Sequence, residues 1–127
     1  MKKLDEYIKY RMKQAKQAFE EAELMAEHNH WNACVNRLYY SCFNAVNALL
    51  IKNELSSSKH SGVLSLFNLH FVKTGEILKE DAKIYNKLFN KRNDSDYVDF
   101  VEFDEQTVKP WINQTQTFIK VIEEQLN

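Results

Sequence analysis

Two glycines and one proline in 127 residues leave the chain almost without the punctuation that hairpins and sandwich turns need. β architectures are thereby disfavoured, and an all-α fold is the expectation. A surplus of one charge is also missing, since 17 basic and 18 acidic side chains give a formal net charge of −1. This balance excludes a general nucleic-acid coat, although a local basic patch remains open. No stretch approaches the ~20 apolar residues of a membrane span, and MKKLDEYIKY at the start has charges where a signal peptide would be apolar. A cytoplasmic protein with no membrane contact is expected. Cysteine is scarce too: Cys34 and Cys42 on one helix would stand about 12 Å apart along its axis, too far for a disulfide. Free thiols suit a reducing compartment.

What is present is core material, with 44% hydrophobic and 13% aromatic residues, enough for one domain over residues 1–127 but not for two. Leu4, Ile8, Met12, Ala15, Phe19, Ala22 and Ala26 recur at helical spacing and predict a long first helix, interrupted at His28-Asn29-His30. Trp31, Val35, Leu38, Cys42, Val46 and Leu49 trace a second stripe, widened by Cys34, Tyr39, Phe43 and Leu50 as a central helix requires. Val63, Leu64, Phe67 and Phe71 predict a short third helix, with capping chemistry in Ser56-Ser57-Ser58 and a left-handed stop at Gly75. A fourth helix from Leu78 should end near Arg92, before Asn93-Asp94-Ser95-Asp96. A fifth carries Val108, Trp111, Ile112, Thr115, Phe118, Ile119 and Ile122. Pro110 fits its first turn if Thr107 is the cap, whereas an Asp104 cap predicts a kink there. The expected core includes Trp31, Leu38, Phe43, Phe67, Phe89, Trp111 and Ile119.

Three strings stand in a fixed order along these helices: Asn36-Arg37-Leu38-Tyr39-Tyr40-Ser41-Cys42-Phe43, Lys59-His60-Ser61-Gly62-Val63, and Leu69-His70-Phe71-Val72-Lys73-Thr74-Gly75. With Asp96-Tyr97-Val98-Asp99-Phe100 and Glu102-Phe103-Asp104-Glu105 the chain resembles the HEPN family, the higher eukaryotes and prokaryotes nucleotide-binding domain, in its small stand-alone prokaryotic form. The resemblance implies a bundle of four long helices plus a short one, a homodimer, and a place in toxin-antitoxin or defence pairs. A minimal nucleotidyltransferase is the partner it implies.

HEPN ribonucleases carry an Arg, four to six intervening residues and a His. Arg92-Asn93 matches the first half, but Tyr97, Val98 and Asp99 occupy the positions for the His, and neither Arg11 nor Arg37 completes the spacing. Cleaving RNA at a 2′-hydroxyl needs a proton acceptor of near-neutral pKa as well as a cation. Arg92 supplies only the cation, and a tyrosine of pKa near 10 is a poor base. The sequence therefore favours a non-catalytic or catalytically altered protein that acts through dimerisation and through binding a partner, a nucleotide or RNA. An endoribonuclease toxin with an atypical site at Arg92 and Tyr97 is the enzyme alternative, and a purely structural interaction module is the third.

The binding candidates are Arg92, Asn93 and Tyr97, together with Asn36, Tyr40 and Asn44 from a polar stripe that also includes Asn32 and Asn47. Asn is a poor helix former, so the stripe predicts either an interface or a packed polar layer. Six carboxylates from Asp94 to Glu105, with no Lys or Arg among them, would repel phosphate unless turned away. His28 and His30 have no third ligand, so no metal site is expected, and nothing calls for a cofactor. His60 and His70 read as structural histidines.

Overall fold

The computed structural model describes residues 2–127 and consists of helices and their connections. In chain order these are α1 (Lys2–Glu27), α2 (Trp31–Lys52), α3 (His60–Phe67), a π-helical turn (Asn68–Val72), α4 (Lys79–Tyr97) and α5 (Glu105–Leu126). The four long helices and the short one are those the periodicity predicts.

α2 is the central element, packed against α1, α3, α4 and α5. Its buried residues, among them Val35, Leu38, Tyr39, Cys42, Val46, Leu49 and Leu50, lie around much of its circumference, as the wide apolar stripe requires. Against α1 the contact uses small side chains: Ala15 and Ala22 are buried in the shared core, and Ser41 Oγ donates to the Ala15 carbonyl at 2.7 Å. Asn29, with φ 60°, ends α1 in the left-handed conformation, and the His30 amide returns to the Met25 carbonyl at 2.8 Å. The two helices thus form an antiparallel hairpin. Both cysteines are free and buried, and burial pushes the Cys34 thiol up to about 11. Such thiols are unreactive near neutral pH.

Four local expectations are corrected. α4 continues through Tyr97 instead of ending near Arg92, because Arg92 bonds Asp96 one turn ahead and Ser95 Oγ meets Asn32 of α2. These tertiary and side-chain bonds outweigh the weak helix propensity of Asn93 to Asp96. Asp104, not Thr107, caps α5, its carboxylate accepting the Thr107 amide at 2.9 Å. Pro110 then falls in the second turn, and α5 runs on through it because both Pro110 and Gln106, whose carbonyl loses its donor, are exposed. No serine caps α3; Ser57 Oγ instead accepts the Lys59 amide at 3.2 Å and lies so near Gly62 that a Cβ there would overlap it. Among the proposed core residues Leu38, Phe67, Trp111 and Ile119 are buried, whereas Trp31, Phe43 and Phe89 are half-buried at its edge. Phe43 and Phe89 lie at that edge because their rings border the site described next.

Two polar clamps hold α4, one at its middle and one beyond its C-terminal end. Asn86 and Asn68 exchange amide hydrogen bonds at 2.9 and 3.2 Å, tying α4 to the π-helical turn. Beyond the C-terminal end Asn32 Nδ2 donates to the Val101 carbonyl at 2.9 Å while its Oδ1 accepts the Phe103 amide at 2.8 Å. The connection from α4 to α5 is thereby fixed to α2, and Phe103 is seated edge-on against Trp111.

Candidate functional site

Where α2, α3 and α4 meet, the aromatic core rises to the surface. Tyr39 on α2 is fully buried among Tyr85, Phe89 and Phe43, with ring centroids 5.9 to 6.3 Å away. A buried phenol is stabilised by a hydrogen-bond partner. Tyr39 finds it in His60, the first residue of α3, whose Nδ1 is 2.9 Å from the hydroxyl. The imidazole is stacked on Phe43 at 4.2 Å and meets Tyr40 edge-on at 5.8 Å.

Arg92 closes this cluster from α4. Its Cζ is 4.5 Å from the centre of the Tyr39 ring and 5.8 Å from that of Tyr40, within cation–π range of both. Arg37 lies 5.0 Å from the Tyr40 ring, so two guanidinium groups share one aromatic platform. The Arg92 side chain is only 13% exposed, so it lies along the aromatic rim and does not reach into an open groove. Of its five N–H donors, Nη1 donates to Asp96 at 3.2 Å and Nη2 to Asn93 at 3.0 Å, while Nε is buried without a partner.

The electrostatics follow from this packing. Burial, and then the Arg92 charge, hold the His60 imidazole below its ordinary pKa of 6.5, so it is neutral at pH 7. Burial raises the Tyr39 hydroxyl far above its usual value despite Arg92, and it stays a phenol. The six carboxylates from Asp94 to Glu105 are all exposed, and among the described residues only Asp96 pairs with Arg92.

The candidates named from sequence divide accordingly. Arg92, Asn93 and Tyr40 converge, and Asn36 joins through Arg37, accepting from its Nε at 3.1 Å and Nη2 at 2.9 Å while Glu21 takes Nη1 at 3.2 Å. Tyr97 does not converge. Five residues along a helix rotate a side chain about 140° away, and Tyr97 stands 82% exposed at the end of α4. Asn44 lies toward α1, accepting from Arg11 at 2.9 Å and donating to the Tyr40 carbonyl. The polar stripe is therefore used residue by residue, Asn32 and Asn44 as clamps and Asn36 as a brace. His28 and His30 are exposed in the α1–α2 turn. Tyr39 and His60 are the participants that sequence reasoning passed over as site residues. The one signal for them was a tyrosine on an apolar stripe, which requires a polar partner.

Among the described residues no helix is long and apolar enough to cross a membrane. Comparison with known proteins gives a match to the HEPN domain model over residues 8–125. A UPF0332 protein of Thermotoga maritima is 42% identical over 123 residues, 97% of this chain and 93% of that protein. A protein of Methanocaldococcus jannaschii named "Putative toxin MJ0142" is 31% identical over 108 residues, covering 85% of this chain and 74% of its own. A second from that organism, "Putative toxin MJ0605", is 32% identical over 96 residues, 76% and 72% of the two chains. With an all-helical bundle of the expected element order and a match over nearly its whole length, the chain belongs to the HEPN domain family.

Proposed function

We propose that this chain is a toxin-type HEPN protein of the cytoplasm that binds the phosphate of a nucleotide or RNA at Arg92 and acts as a homodimer with a protein partner. The observation that carries this reading is the Arg92 guanidinium laid on the Tyr39 and Tyr40 rings, with Asp96 at 3.2 Å as its carboxylate partner. A phosphate oxygen is the acceptor that fits a guanidinium fork. The toxin names of two relatives support the same class.

The homodimer draws support from a patch at the end of α4, where Tyr97, Val98 and Phe100 are 82%, 54% and 100% exposed. Phe100 also holds a left-handed φ of 67°, unusual for a bulky residue. A second copy covering this patch would remove aromatic surface from water and place two Arg92 sites in one particle. The partner proposed is a minimal nucleotidyltransferase, as the family resemblance implies. Fluorescence anisotropy with labelled single-stranded RNA tests the binding: Arg92→Ala should weaken it and flatten the salt dependence by about 0.7 in log–log slope. Wild-type protein that ignores RNA and nucleotides would refute it. Sedimentation at micromolar concentration tests the dimer, and a strictly monomeric species would refute that part.

The endoribonuclease reading is favoured by one observation, the imidazole of His60 beside the same arginine.

A further inference from the structure

We infer that the two ends of α4 are the two halves of one interface: the acidic aromatic tip Tyr97–Phe100 of a second copy seats in the lysine-rimmed groove beside the start of α4, and the exchange is reciprocal across a two-fold axis. The inference rests on the homodimer reading and names the surface that receives the exposed patch. A tip that met only its own counterpart would bring like charges together.

Groove and tip are complementary in chemistry. Among the described residues eight large apolar side chains are exposed, and five of them, Leu69, Leu78, Tyr97, Val98 and Phe100, stand near the two ends of α4. The groove, of about 850 Å³, is lined by Leu69 and Val72 and by Lys73, Lys79 and Lys83, against one acid, Glu80. The tip has the opposite charge: its apolar residues lie between Asp94, Asp99 and Glu102, and no Lys or Arg occurs from Asp94 to Glu105. Among the described residues none of these three lysines or three carboxylates is in an ion pair. Asp94 and Asp96 also stand in the last turn of α4, which holds no basic residue. The negative end of a helix dipole favours a cation there, so lysines brought from a second copy would be stabilising.

The helix also places groove and tip on one face. Lys79, Asn86, Asn90 and Tyr97 follow one another at spacings of seven, four and seven residues, which keeps them on one side of α4. From Lys79 to Tyr97 the helix rises about 27 Å. An antiparallel second copy of α4, related by a two-fold axis near Asn90, lays the tip of each chain over the groove of the other. At the axis each residue meets its own counterpart, and there Asn90 is exposed and, like Asn86 and Asn93, uncharged. Lys87 is turned toward the Trp111 ring of α5, and Lys91, one residue on from Asn90, points about 100° away. Away from the axis the facing residues differ: Lys79 and Lys83 of one copy oppose Asp94, Tyr97 and Asp99 of the other, so opposite charges meet and steer the pairing.

Sedimentation at micromolar concentration is measured for wild type, for Lys79→Glu with Lys83→Glu, for Asp94→Lys with Asp99→Lys, and for all four changes in one chain, with circular dichroism to check that each is folded. Wild type should dimerise. Either reversed pair alone should weaken the dimer about tenfold or more, and the fourfold variant should recover it. Should a charge-reversed chain fail to fold, disulfide trapping gives a separate readout, because Cys34 and Cys42 are buried and do not compete. Under mild oxidation a mixture of Leu69→Cys and Phe100→Cys chains should form a mixed disulfide, whereas Phe100→Cys alone should not link to itself. A dimer indifferent to both charge reversals, a folded fourfold variant that stays monomeric, or Phe100→Cys linked to itself overturns the exchange and leaves the homodimer standing. Wild type that is monomeric throughout overturns both and gives the groove to an acidic segment of another protein.

Discussion

Replacing Asn32 by Ala would release the connection that joins α4 to α5. Its amide makes three bonds there, to the Phe103 amide at 2.8 Å, the Val101 carbonyl at 2.9 Å and Ser95 Oγ at 3.3 Å. Each such bond contributes about 0.5–1.5 kcal/mol net, and the half-buried setting with one long bond places the total near 2 kcal/mol. An unfolding entropy of about 2.1 cal/mol/K per residue converts this to a fall in Tm of about 7 °C for a chain of this length. Loss of Phe103 from its edge-on seat against Trp111 would add to it. Calorimetry gives the Tm, and native-state hydrogen exchange gives the local effect, because the Phe103 amide donates to Asn32 itself. That amide should exchange faster in Asn32→Ala even where the amides of α5 do not. An unchanged Phe103 exchange rate together with a Tm shift under about 2 °C would refute the clamp.

Three further outcomes are expected. Leu38→Ala empties a fully buried position on the central helix and should cost about 2–5 kcal/mol in denaturant unfolding, and a loss under ~1 kcal/mol would contradict the placement of α2. His60 has a folded pKa below its unfolded value, so the unfolded state binds the proton first. Its contribution to stability is complete above pH 6.5, declines as pH falls from there toward the lower folded value, and then levels off; in His60→Gln this segment of the Tm–pH curve should flatten. Asp96→Asn frees Arg92 Nη1 from a competing carboxylate and should raise RNA affinity up to about fivefold, the worth of a surface ion pair; weaker binding would contradict the anion-anchor role.

The bundle was legible because its signals are local and repeated. The α2 stripe announced burial on several sides, and the shortage of Gly and Pro excluded competing folds. Boundaries were less legible where a side chain reaches outside its own segment: Asn93 to Asp96 read as a helix end, yet the Arg92–Asp96 pair and the Asn32 bond to Ser95 keep α4 wound. Pro110 suggested a later start for α5, but Asp104 is the acceptor that the chain uses. Of the site, Arg92 stood out because its string carries half of a known pairing. His60 did not, because its partner Tyr39 is 21 residues away and Arg92 lies on yet another helix. Convergence across three helices leaves no periodic trace.

The guanidinium resonances of Arg92, followed by NMR during titration with single-stranded RNA, report phosphate anchoring most directly, since a phosphate would compete with Asp96 and Asn93 for its Nη donors. The expected result is a saturable downfield shift, accompanied by shifts at Tyr40 and His60 and reversed by salt. An Arg92 guanidinium that stays fixed while RNA binds through the lysines of α1 would contradict the account.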